Sequence, residues 1–122
     1  MLKAQLAVMG FAVMLLPLVG CAPNPTRIDP KPVPVGNYAS MTCGELTTLH
    51  NVDLRSLRSN DAEQRATRRS DAWGVLLIGL PVGRMAGGNR ADRIAELKGE
   101  LVAIDSTFAA HHCSGTLLGQ AD

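Results

Sequence analysis

Aromatic residues are scarce in this sequence: one Trp, one Tyr and two Phe occur among 122 residues. A core drawn from so few large side chains is thin. Charge of one sign is also missing, since 12 basic residues stand against 11 acidic ones. Loss of Lys3 with the leader described below makes the two signs equal, and broad attraction to nucleic acid is excluded. There is no glycine-rich phosphate loop, no pair of catalytic carboxylates and no CxxC. Asp105, His111 and Ser114 include the residue types of a hydrolase, but a helix end and its tail offer no nucleophile elbow, oxyanion donors or pocket. His111-His112-Cys113 is a candidate metal set, because imidazole and thiolate suit zinc or copper. Its spacing argues against that role: neighbours on a helix diverge by about 100°, and His50 falls about two turns, roughly 10 Å, along from Cys43. The sequence therefore predicts no catalytic activity, cofactor, metal or small-molecule substrate.

The longest apolar run lies at the start. Met1-Leu2-Lys3 forms a short positive segment, and Ala4 to Val19 is interrupted only by Gln5, Gly10 and Pro17. A spanning helix needs about 20 apolar residues; this run instead ends at small residues followed by prolines, the pattern of a removable signal peptide. Leu18-Val19-Gly20-Cys21 resembles the lipobox of bacterial lipoproteins, with a conventional secreted protein or an uncleaved anchor as the alternatives. That resemblance implies removal of residues 1–20, diacylation of the Cys21 sulfur and acylation of its new amino terminus. Several chains anchor durably where one does not, since each buried methylene contributes about 0.8 kcal/mol. In lipoproteins of Gram-negative bacteria an aspartate after the cysteine accompanies inner-membrane retention. Ala22 stands there, so the chain resembles the outer-membrane class, anchored on the periplasmic face.

Residues 21–39 read as the lipidated cysteine and a tether, because Pro23, Pro25, Pro30, Pro32 and Pro34 favour extended, hydrated backbone. At about 3.1 Å per residue such a tether reaches roughly 55 Å. The folded part is expected over residues 40–113, with a flexible tail at 114–122. Thr42-Cys43-Gly44-Glu45 fits a capping box and starts a helix. From there to about Arg69 no proline intervenes, and Leu46, Leu49, Leu54 and Leu57 share a face that weakens afterwards. A second helix follows Gly87-Gly88, with Asn89 as its cap and Asp92 three positions on. Ile94, Leu97, Leu101, Ile104 and Phe108 then alternate in steps of three and four, a seam made to face another helix.

With Cys21 given to lipid, Cys43 and Cys113 remain as an even pair in an oxidising compartment. They mark the start of one helix and the end of the other, so antiparallel packing brings them together as a disulfide. Closing a loop of about 70 residues contributes on the order of 4 kcal/mol. The fold class is mainly α: a disulfide-closed antiparallel helical hairpin with a short apolar third segment.

That third segment, SDAWGVLLIGLPVGRMAGG at 70–88, is apolar for a connection and long enough to need a short helix near Ala72 to Leu80 or a function. The first of three readings folds it back onto both helices as core. A second makes Trp73, Leu76, Leu77, Ile78 and Arg84 a contact for a protein partner or membrane, because Arg65, Arg68, Arg69, Arg84, Arg90 and Arg93 gather near them. The third is a glycine zipper through Gly79, Gly83 and Gly87, interrupted by Pro81 and Arg84. The run is too short to span a bilayer as one helix.

YASMTCGEL at 38–46 and RIAELKGELVAI at 93–104, followed by Cys113, resemble segments of small lipoproteins of Gram-negative bacteria in which one cysteine begins a helix and another ends the last helix. The resemblance implies the hairpin and an envelope location, and carries no catalytic residue. The functional expectation is an outer-membrane-anchored periplasmic lipoprotein with a structural or accessory role and an envelope protein partner. A metal-binding or redox accessory and an anionic-lipid-contacting tip are the alternatives.

Overall fold

The structure, a computed structural model, describes residues 22–117. The expected signal peptide at 1–20, Cys21 and residues 118–122 lie outside the described residues. Two long helices and one short helix make the body: α1 (Cys43–Ile78), α2 (Val82–Met85) and α3 (Ala91–Ala110). The molecule is a mainly helical hairpin closed by a disulfide, and the described residues contain no strand.

The α1 helix starts where the capping box places it. The Glu45 amide donates to Thr42 Oγ1 at 3.3 Å, and the Thr42 amide donates to Glu45 Oε2 at 2.8 Å. It does not stop near Arg69. It runs 36 residues, about 54 Å, because nothing between Arg69 and Ile78 breaks a helix. Gly74 in that stretch is required by packing, since a Cβ there would overlap Leu80 O and the Val82 side chain. The stop is Gly79, left-handed at φ 74°, whose amide donates back to Gly74 and Val75 carbonyls as a glycine C-cap does.

The α3 helix, 20 residues long, lies antiparallel along the first part of α1. Its start lies one residue after the expected Asn89 cap. The N-cap position is Arg90, and Asn89 Oδ1 instead accepts the Ala91 amide at 3.3 Å. Ile94, Leu97, Ile104 and Phe108 are buried on its seam, with Leu101 half-buried. Near its end Leu46, Ile104, Phe108 and Leu117 form the apolar core, with Tyr38, Met41, Leu49 and Cys113 packed around it. Leu117 corrects the expectation of a flexible tail: residues 114–117 turn back so that this side chain fills the core. Cys43 and Cys113 are bonded across the open end, with their Cα atoms 5.6 Å apart.

Residues 22–39 correct a second expectation. They form a strap along the hairpin, with short 3-10 turns at Pro25–Arg27 and Val35–Tyr38. The prolines keep the backbone extended, as expected, but its polar groups are met by helices rather than by water alone. Lys98 Nζ donates to Pro25 O at 2.8 Å and to Ile28 O at 2.7 Å. The Lys31 amide donates to Ala95 O at 2.8 Å. Gly99 makes the notch for this approach, since a Cβ there would overlap Lys31 O.

Candidate functional site

The closed end of the hairpin is held by polar side chains of α1. Its inward positions step by four and three residues through Leu46, His50, Asp53, Leu57, Asn60, Gln64, Thr67, Asp71 and Gly74. Leu46 and Leu57 are the apolar side chains of that seam, and beyond Leu57 it is carried by polar groups. Gln64 is fully buried. Its Oε1 accepts the Arg90 amide at 2.5 Å, while Nε2 donates to Pro23 O at 3.1 Å and Asn89 Oδ1 at 3.0 Å. Thr67 Oγ1 donates to Gly88 O at 2.7 Å. Asp71, also fully buried, accepts the Ala22 amide on Oδ2 at 3.0 Å and the Arg84 amide on Oδ1 at 2.9 Å. One carboxylate therefore joins the first described residue of the strap to α2.

Beyond Asp71 the rod continues for two turns with little around it. Trp73, Leu76, Leu77 and Ile78 are 63–74% exposed, and Met85 on α2 is 70% exposed. Burial against both helices, the first reading of residues 70–88, does not describe these side chains. The reason is length: α3 is too short to cover α1 past Gln64, and the short α2 lies over Thr67, Ser70, Asp71 and Gly74. Val82 does turn inward onto Gly74, and Gly83 lies against Thr67 O. The glycine zipper does not form either, because Gly79 ends α1 and Gly87 is left-handed at φ 80°, so the three glycines share no helix face. A groove of about 440 Å³ beside the tip is lined by Arg69, Trp73, Leu77, Ile78 and Val82, among others.

Charge is distributed along the long axis. Residues 64–89 carry four arginines, Arg65, Arg68, Arg69 and Arg84, and one acid, the buried Asp71. The other described residues carry nine acids and seven bases. Arg65, Arg68 and Arg69 are exposed just before the apolar tip. Arg90 and Arg93 belong to the body, where Arg90 pairs with Glu63 at 2.6 Å and Arg93 with Glu96 at 2.9 Å. Arg84 is exposed and enters the network through its backbone amide.

The middle of the molecule holds a second polar group of residues. Burial pushes the Asp53 carboxyl above the usual carboxylate range, with Arg93 and His50 pulling the other way. Glu100 is raised by burial and by the charge on Asp53. His50 Nε2 lies 3.3 Å from Asp105 Oδ1, so Asp105 meets His50 rather than His111. Cys43 and Cys113 are consumed in their mutual bond. Among the described residues no three His, Cys, Asp or Glu side chains are grouped to hold a metal ion.

Asp71, Gln64 and Gly99 are the structural residues that reading the sequence missed. Their partners lie 49, 41 and 68 positions away, and no local pattern points to them. The 3-4 spacing of the polar seam was the available signal. Together the fold and this end define a strapped, disulfide-closed helical hairpin with an arginine-rimmed apolar tip. Comparisons with protein-family models, curated proteins and solved structures find no match.

Proposed function

We propose that the chain is a lipoprotein anchored through Cys21 to the periplasmic face of the outer membrane, with a structural or accessory role and no catalytic activity. The lipobox resemblance supplies the anchor. The observation that supports the geometry of the role is the Asp71 carboxylate holding the Ala22 amide. Cys21 is the covalent neighbour of Ala22. The acyl group therefore attaches at the closed end of the hairpin. From Asp71 back to Cys43 the helix covers roughly 40 Å at ~1.5 Å per residue, so the disulfide end stands away from the lipid as a rigid post. A post of this kind presents its helix faces to an envelope protein.

Mass spectrometry of the processed chain, with membrane fractionation, is the test. The expected product begins at an acylated Cys21 and sediments with outer membrane; a soluble chain with bare Cys21 sinks the proposal. Crosslinking in cells from exposed helix positions such as Val52 and Val102 then identifies the protein partner. A metal-binding or redox role requires free thiols at Cys43 and Cys113, and thiol counting on the native protein decides it.

A further inference from the structure

The geometry points to the arginine-rimmed tip as a second membrane contact that inserts into an anionic phospholipid surface beside the acyl anchor. Three observations meet there. The first is continuous apolar exposure over Trp73, Leu76, Leu77, Ile78 and Met85, which covers the end of the rod rather than one groove. The second is position. The chain beyond the described residues resumes at Cys21, one peptide bond from an Ala22 that is 2% exposed and tied to Asp71. From Asp71 to Ile78 the helix rises about 10 Å. An interfacial helix buries its apolar face by about 5–10 Å. With the anchored residue at headgroup level, the tip ends at the depth an interfacial segment occupies.

The third observation is charge. Arg65, Arg68 and Arg69 lie within about 9 Å of the Asp71 level along the axis, on the side away from the tip. Guanidinium groups at that height meet phosphates while their stems lie along apolar surface. The nine acids that outnumber the bases elsewhere belong to the body, which a negative surface repels. This polarity fixes orientation: tip down, disulfide end up. No described helix is long and apolar enough to cross a membrane, so the tip lies in the interface and does not span. The inference rests on the anchored reading for the position of the acyl chains, and on the tip alone for its own affinity.

Trp73 is the only Trp of the chain and sits in the proposed contact, so its fluorescence reports directly. The natively processed full chain is reconstituted into vesicles of phosphatidylethanolamine and phosphatidylglycerol. Quenching by lipids brominated near the headgroup or near the chain end is compared with quenching by aqueous acrylamide. The expected result is blue-shifted emission, strongest quenching by the shallow bromines and little by acrylamide. A Leu76→Asp/Leu77→Asp variant changes exposed side chains only; its helical circular dichroism and disulfide are expected to be unchanged. It stays with the vesicles through its anchor while bromine quenching falls severalfold. Changing Arg65, Arg68 and Arg69 to Gln weakens tip insertion by about fivefold per residue at low salt.

Acrylamide-accessible Trp73 in protein that remains bound to the vesicles overturns the inference and leaves the anchor intact. Bare Cys21 in the mass spectrum with shallow bromine quenching at low salt overturns the anchor and leaves the tip contact standing. Trp73 shielded from acrylamide and from every bromolipid, with concentration-dependent association of the chain, assigns the tip to a second copy and overturns the inference.

Discussion

Gln64 and Asp71 each make one α1 side chain serve three segments or two, and both are buried. Removing such a partner exposes the cost of unmet donors and acceptors, about 1–3 kcal/mol for a buried group. Gln64→Leu keeps the volume but leaves the Arg90 amide without its acceptor and Pro23 O without its donor, while Asn89 Oδ1 keeps only the Ala91 amide. The expected loss is about 1–3 kcal/mol, read from urea denaturation, and an unchanged midpoint defeats that assignment. Asp53 works in the opposite sense. Its folded pKa lies above 3.8 because burial disfavours the charged form, so between 3.8 and the raised value the folded state holds more proton than the unfolded one. Stability then falls as pH rises through that window. Glu100 adds the same sign from 4.5 upward. Asp53→Asn is expected to raise the melting temperature at neutral pH and to flatten the slope just above pH 3.8. Arg93 and His50 are the neighbours that offset this, so an unchanged or lower melting temperature shows that they outweigh burial.

The elements differ in how far local sequence determines them. The start of α1 follows from Thr42 and Glu45 three positions apart, and the α3 face follows from Ile94, Leu97, Leu101, Ile104 and Phe108. Both signals need only neighbours within a few turns. The end of α1 was not legible from apolar periodicity, because Gln64, Thr67 and Asp71 continue the same 3-4 seam with polar groups whose hydrogen bonds replace apolar burial. The tip residues Trp73, Leu76, Leu77 and Ile78 were legible as an apolar cluster, but their exposure depends on α3 being shorter than α1. The strap was least legible. Its prolines exclude helix and inner strand, yet its docking depends on Lys98 and the Gly99 notch far along the chain. Gly99→Ala tests this directly. Exchange of Gly for Ala favours a helix by about 1 kcal/mol, but the new methyl overlaps the Lys31 carbonyl. The expected outcome is faster hydrogen exchange at the Lys31 amide and easier cleavage near Arg27 and Lys31, with α3 protection retained. Unchanged Lys31 exchange shows that the strap is not held by the notch.

At the scale of the whole molecule, the two ends are stabilised by different means. The open end holds the core of Leu46, Ile104, Phe108 and Leu117 together with the disulfide, while the closed end relies on hydrogen bonds from Gln64, Thr67 and Asp71. The cysteine pair was legible because antiparallel packing brings the start of α1, at Cys43, beside the end of α3, three residues before Cys113. The placement of Ala22 beside the tip was not, because it depends on where the strap docks on Asp71. This division predicts how the protein fails. Sequence separation of 70 across the Cys43–Cys113 bond corresponds to about 4 kcal/mol of lost unfolded-state entropy. For a domain of this size, that is roughly 15–30 °C in melting temperature. Cys43→Ser/Cys113→Ser is expected to melt lower by that amount. Hydrogen exchange should rise first at Leu46, Ile104 and Phe108, because releasing the bond frees the helix ends that carry the core. The Arg84 and Arg90 amides, held by Asp71 and Gln64, should keep their protection until global unfolding. If protection at those two amides is lost together with that of the core, the hairpin is one cooperative unit with no separate polar clamp.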